Sequence, residues 1–188
     1  MSTVAAPVAT AASFGVLTWS GASHLLHLRL FREALASHSV WDGRRVTFVA
    51  WAVTATELVV GARGLLAVWD GDAAWTRVAA LAAVLVFAAF AVYAGLVIRH
   101  DSDAPCGCST HSFPMTGWTV VRAGAFAFAA ALAAGSGHTM ARHATEEQVL
   151  LTIVALTLGT IVWTFPGAMH QVRGATPARA GRGGADGL

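Results

Sequence analysis

The run "WTRVAALAAVLVFAAFAVYAGLVI", Trp75 to Ile98, carries one charged side chain in 24 residues. A helix needs about 20 mostly apolar residues to cross the hydrocarbon of a bilayer, so this run reads as a membrane span. Four more stretches meet or approach that length. They are Ala12–Leu30, Val46–Trp69, Gly117–Gly135 and Val149–Met169, the last expected to end at the Pro166-Gly167 pair. The whole chain is 56% hydrophobic and 12% charged, with a mean hydropathy of +0.61. A soluble domain carries about 25% charged residues, and one of this size could not hide so much apolar surface. The class that follows is an all-α integral membrane protein.

All twelve basic residues are arginines, and the formal net charge is only +2. That excludes the dense basic surface expected of a nucleic-acid partner. The opening "MSTVAAPVATAA" has no positive segment ahead of an apolar run, so it does not read as a cleaved signal peptide. Between the first two spans, "FREALASHSVWDGRR" suggests a short interfacial helix closed by an Asp-Gly turn, and "WDGDAAW" a tight connection. The tail from Gln171 is rich in Gly, Ala and Arg and is expected to be disordered. The expected organisation is an extension over 1–11, a bundle over 12–135, a loop and fifth helix over 136–170, and a tail over 171–188.

Alternating spans place Arg29, Arg32, Arg44, Arg45, Arg99, Arg173, Arg179 and Arg182 on one membrane face. Only Arg77 and Arg142 fall near the loops of the other. The positive-inside rule would make the arginine-rich face cytoplasmic. Both cysteines of the chain, Cys106 and Cys108 in "DAPCGCSTHSFP", lie on that same face.

Four histidines thread toward the cysteines: His24 and His27 at the end of the first span, and His100 and His111 beside the pair. His24 and His27 are three apart and so are expected to be neighbours on one helical surface. Arg122 lies early in the fourth span. His38, His138, His143 and His170 read as interfacial side chains. Glu57 falls near the middle of the second span, where an ionised carboxylate is costly unless paired or protonated. Arg122 is its expected partner, with Arg63 free to reach the far surface. The pair reads either as an interhelical clamp or as a group handling protons or facing a quinone.

The cysteines admit three readings. A thiol beside cationic groups has a lowered pKa and is reactive as thiolate. Two cysteines separated by one glycine sit near the upper limit of Cα spacing for a disulfide. A bond closing so small a ring is strained and therefore labile, which suits a redox pair better than a static crosslink. Two thiolates with imidazoles, from His24, His27 or His111, would also suit zinc or copper(I), although C-x-C is shorter than the usual zinc arm. The third reading is two incidental loop cysteines.

Taken together, Gly21-Ala22-Ser23, the "FREALA" stretch, "TELVVG" from Thr56 to Gly61, Cys106-Gly107-Cys108 and Arg122 resemble the MauE family of methylamine-utilisation membrane proteins, within the DoxX-like group. The resemblance covers roughly residues 12 to 135. It implies a four-helix membrane bundle, here with a fifth helix appended, in a bacterial plasma (inner) membrane. It further implies work beside a thioredoxin-like, MauD-like partner in disulfide formation or electron delivery, as in maturing methylamine dehydrogenase. The family commonly continues Cys-Gly-Cys with Phe-Gly, whereas Ser109-Thr110 follow here.

The resulting expectation is a membrane thiol–disulfide relay. Cys106 and Cys108 would exchange with the partner, and Arg122 would stabilise the thiolate. His24 and His27 would carry protons, and Glu57 would serve as buried counter-charge or face a quinone. A metal-handling membrane protein and a non-catalytic assembly factor are the alternatives.

Overall fold

Within a bilayer each backbone N–H and C=O must find its partner inside the chain, which leaves helices as the economical solution for apolar runs. The computed structural model of the chain describes residues 2–38, 40–101, 104–105, 114–136 and 145–174. These form six helices: α1 (Ser2–Leu26), α2 (Leu28–Ser37), α3 (Gly43–Asp70), α4 (Ala73–His100), α5 (Gly117–Ser136) and α6 (Thr145–Gly174). Over Gly43–Asp70, Ala73–His100 and Gly117–Gly135 the helices are long and apolar enough to cross a membrane. The chain is thus a multi-pass helical membrane protein.

The less apolar α1 sits at the centre, against α2, α3, α4, α5 and α6. Protein rather than lipid surrounds it, so it can bury Thr10, Ser13, Ser20 and His24 beside Phe14 and Leu17. Thr10 and Ser13 turn their hydroxyls back onto the carbonyls of Ala6 and Ala9, and so carry no unsatisfied donor into the core. The helix begins at Ser2, ten residues before the expected span. It ends at Leu26, where His27 turns the chain into α2.

That break corrects one expectation. His27, at φ −120° and ψ 35°, is the N-cap residue of α2 and is exposed, while His24 is buried. The two histidines do not share a continuous helical surface. α2 is the expected interfacial helix: Phe31 and Leu35 face inward, while Arg29 and Glu33 pair on the exposed side at 2.9 Å. Asp42-Gly43 does not close it with a turn. Asp42 is instead the N-cap residue of α3, its carbonyl accepting from Val46 N–H.

The α3–α4 connection is as tight as its sequence suggests. Gly71 takes the left-handed conformation at φ 79°, and the Asp72 side chain caps α4 by accepting from Trp75 N–H at 3.0 Å. Arg63 lies over the Trp75 ring, 5.5 Å from its centroid, at this far end of the bundle. α6 corrects a second expectation, since it continues through Pro166-Gly167 to Gly174. Proline is tolerated in membrane helices because neighbouring groups can take up the backbone partner it frees. Residues 171–174 are therefore helical, and 175–188 lie outside the described residues.

Antiparallel α1 and α3 approach closely through glycine. A Cβ on Gly61 would stand 2.6 Å from the Thr18 backbone nitrogen and 2.9 Å from the Phe14 carbonyl oxygen. One turn on, Gly64 accommodates the Phe14 ring. Small residues at such crossings let two membrane helices meet backbone to backbone. The seam fixes the height of α1 against α3, and so sets which polar groups meet deeper in the bundle.

Candidate functional site

Ser20 and His24 are four residues apart, so they share one face of α1. The seam turns that face toward Glu57. Glu57 stands midway along α3, about 21 Å from its Gly43 end at about 1.5 Å per residue. His24 Nδ1 lies 2.8 Å from Glu57 Oε2, and the Ser20 hydroxyl donates to Oε1 at 3.0 Å. All three side chains are buried; Glu57 is 7% exposed and His24 3%.

The expected Glu57–Arg122 pair is therefore corrected. The carboxylate takes its partners from α1, because the α1–α3 seam brings Ser20 and His24 to its height. Arg122 is itself buried, on α5 shortly after its Gly117 start.

Since a carboxylate only accepts, Nδ1 of His24 carries the shared proton. The ring is held further by Phe31 of α2, stacked at 3.9 Å between centroids and 4° between planes. Its Nε2 is buried and has no hydrogen-bond partner. A carboxylate that fixes a histidine's tautomer and orientation while leaving the other nitrogen free is the arrangement a proton-exchanging imidazole needs. Neutral, Nε2 can accept a proton; charged, it can give one back. The carboxylate would stabilise the imidazolium in between.

A second histidine lies nearer the membrane face. His38 Nε2 is 2.8 Å from the Pro105 carbonyl oxygen, an acceptor, so this nitrogen carries the proton. His38 Nδ1 meets the Tyr93 hydroxyl at 2.7 Å. With neutral imidazole, Tyr93 O–H donates to it. Pro105 pairs with Pro114 in an antiparallel bridge, and Met115 N–H donates to the Ala104 carbonyl at 2.7 Å. Thus His38 and Tyr93 fasten the base of the segment that contains Cys106 and Cys108.

The two histidines are joined by a cavity of about 410 Å³. His24, Glu57 and Thr56 lie at its deep end, and His38, Trp41, Tyr93 and Met115 at the end beside Pro105. Between them its wall is almost wholly apolar. Sequence reasoning expected Glu57 and Arg122 inside the bundle and singled out His24, but it passed over Ser20 and Tyr93 and read His38, which is buried, as an interfacial side chain. For Ser20 a signal existed in its four-residue spacing from His24. For His38 and Tyr93 there was only the chain's single tyrosine near the end of a span.

Cys106, Cys108 and His111 lie outside the described residues, as do His138 and His143. His100 closes α4 and is exposed. Among the described residues no three His, Cys, Asp or Glu side chains stand together as a metal site would require.

The profile of the family described as methylamine utilisation protein MauE matches residues 1–136 of the 188. The chain belongs to the MauE family. The match spans α1 to α5 and ends with the last residue of α5, leaving α6 beyond it. The Ser20–His24–Glu57 cluster, the His38–Tyr93 latch and the Cys-Gly-Cys segment all fall within the family region. No curated protein and no solved structure matches the chain.

Proposed function

We propose that this MauE-family protein is the membrane component of a thiol–disulfide relay. Cys106 and Cys108 exchange with a thioredoxin-like, MauD-like partner in a bacterial inner membrane, serving the maturation of a redox enzyme such as methylamine dehydrogenase. α1 and α6 would complete the four-plus-one bundle around the three apolar spans. One cysteine forms a mixed disulfide with the partner and the other resolves it. Two electrons and two protons must then pass to, or come from, another molecule, because the chain has only one cysteine pair.

The observation that supports this reading best is the cavity. It links the fastened base of the cysteine segment to a buried carboxylate-held histidine with one nitrogen free. Arg122, buried on the same side of the bundle, would lower a thiol pKa if its charge reaches the pair. The test is trapping. Cys108→Ser or Cys106→Ser should accumulate a mixed disulfide with a thioredoxin-like protein, cleaved by reductant. Full maturation of the target enzyme in the double serine variant would defeat the reading.

A further inference from the structure

The cavity has a mouth. Ala52 and Thr56 of α3 and Ala89 of α4 line it and are also exposed on the outer surface of the bundle. Ala52 lies about 14 Å along α3 from Gly43, and Ala89 about 16 Å back along α4 from His100. Both positions are well inside the span, so the opening faces lipid rather than water. Whatever enters there comes from the bilayer.

The lumen decides what part of a lipid can enter. The polar groups at its two ends are already engaged or closed off. Glu57 is bonded to Ser20 and His24, and His38 to Tyr93 and the Pro105 carbonyl. His24 Nε2 and Trp41 Nε1 are covered by the atoms around them. A polar headgroup placed inside would lose its water and find no partner. A hydrocarbon chain loses nothing there, and about 410 Å³ gives room for one.

The rim of the mouth leads to the membrane face. Arg45, Val49, Ala52 and Thr56 stand at i, i+4, i+7 and i+11, hence on one stripe of α3, and the last three line the cavity. Arg45 is exposed at the head of that stripe, about 10 Å above Ala52 and about 16 Å above Thr56. The hydrocarbon of one leaflet is about 15 Å deep, half of the full core. A chain hanging from a headgroup at Arg45 therefore passes the mouth before it reaches the midplane. The guanidinium is available, since its approach to Asp42 is 3.9 Å between two exposed side chains, a pair worth little. Arg32, Arg44 and Arg99 are exposed at the same face against Asp42 and Asp101, while Arg29 is paired with Glu33, which leaves the face positive.

We propose that this groove holds one anionic phospholipid, its phosphate on Arg45 at the arginine-rich face and one acyl chain in the cavity between α3 and α4. The positive-inside rule assigns that face to the leaflet where anionic lipids attract basic residues. A bound chain fills the space between the His24–Glu57 couple and the His38 latch. The site stands whether or not the cysteines cycle.

The experiment uses the full chain in nanodiscs of equal phosphatidylglycerol and phosphatidylcholine with identical acyl chains, released gently into a mass spectrometer that weighs the retained lipid. Expected is one lipid per chain, phosphatidylglycerol favoured about fivefold or more, since one arginine near an anionic headgroup contributes about that factor. Arg45→Gln should lower the preference about fivefold while a lipid is still retained. Arg77→Gln, exposed at the far face, should leave it unchanged. Ala52→Phe with Ala89→Phe, from opposite sides of the mouth, should abolish retention of both lipids. That double variant should melt like wild type in lipid-free detergent, because both positions are exposed. No retained lipid, retention that survives the double phenylalanine variant, equal retention of the two headgroups, or a preference indifferent to Arg45→Gln would overturn the proposal. So would a lipid-free dimer, which would make a second copy the cover of the mouth.

Discussion

The backbone-to-backbone approach of α1 and α3 at Gly61 gives the sharpest structural prediction. Replacing Gly61 by alanine puts a carbon 2.6 Å from the Thr18 backbone nitrogen, where ordinary contact begins near 3.4 Å. The nearest atom, Thr18 Oγ1 at 2.5 Å, can rotate away, but the Thr18 nitrogen and the Phe14 carbonyl oxygen behind it are backbone atoms of α1 and cannot. Relief requires α1 and α3 to part by about 0.8 Å, the difference of those distances. Overpacking typically costs about 1–3 kcal/mol, and a backbone-to-backbone clash belongs at the upper end. The consequence reaches the site, because Glu57 lies one turn from Gly61 on the same seam. Widening it by that amount would carry Ser20–Glu57, now 3.0 Å, and His24–Glu57, now 2.8 Å, past hydrogen-bonding distance. The assay is thermal unfolding in detergent, against Gly95→Ala, whose added carbon meets nothing within 4 Å. The control should be neutral or stabilised by about 0.4–1 kcal/mol. Equal melting of the two variants would refute the seam and the placement of Glu57 that depends on it.

Other outcomes follow from the same contacts. Glu57→Gln keeps one oxygen to accept from His24 Nδ1–H and places an N–H where the Ser20 hydroxyl can turn to accept it, so stability should change by no more than about 1 kcal/mol, while thiol reoxidation in cells slows. A variant as active as wild type would make the cluster a clamp only. His24→Ala strands a buried carboxylate and should cost about 3–5 kcal/mol in the same melting assay. His38→Phe removes the bonds to Tyr93 and Pro105 and should raise amide exchange at Ala104, Met115 and Thr116, leaving the centre of α5 protected. Phe87, 5.4 Å from Phe126 between ring centroids, anchors α4 on α5; Phe87→Ala should destabilise by about 3–5 kcal/mol in unfolding measurements.

The membrane class and the three apolar spans were legible from runs of apolar residues, because lipid-facing positions tolerate little else. α1 was less so. As the central helix it meets protein on most sides, which permits Thr10, Ser13 and Ser20 and blurs its hydropathy. Its end at Leu26 was missed for a related reason: a smooth helical spacing from His24 to His27 gives no hint that the chain turns at the interface. Glu57 could be picked out as a buried acid from sequence, but its partner could not. Arg122 offered the stronger charge, and which residue meets the carboxylate is settled by the register of α1 on Gly61 and Gly64, a matter of atomic distances. The His38–Pro105 bond joins residues 67 positions apart and left no local trace.

The central claim is that Cys106 and Cys108 cycle between dithiol and disulfide in a process that depends on the buried His24–Glu57 couple. Acid-quenched alkylation of cellular protein measures it directly, by counting free thiols before and after an oxidative or reductive pulse. The expected result is a reversible two-thiol shift in wild type whose reoxidation is slowed in Glu57→Gln at unchanged protein level. Cysteines that stay in one state throughout, or that cycle at the same rate in both proteins, would contradict the account.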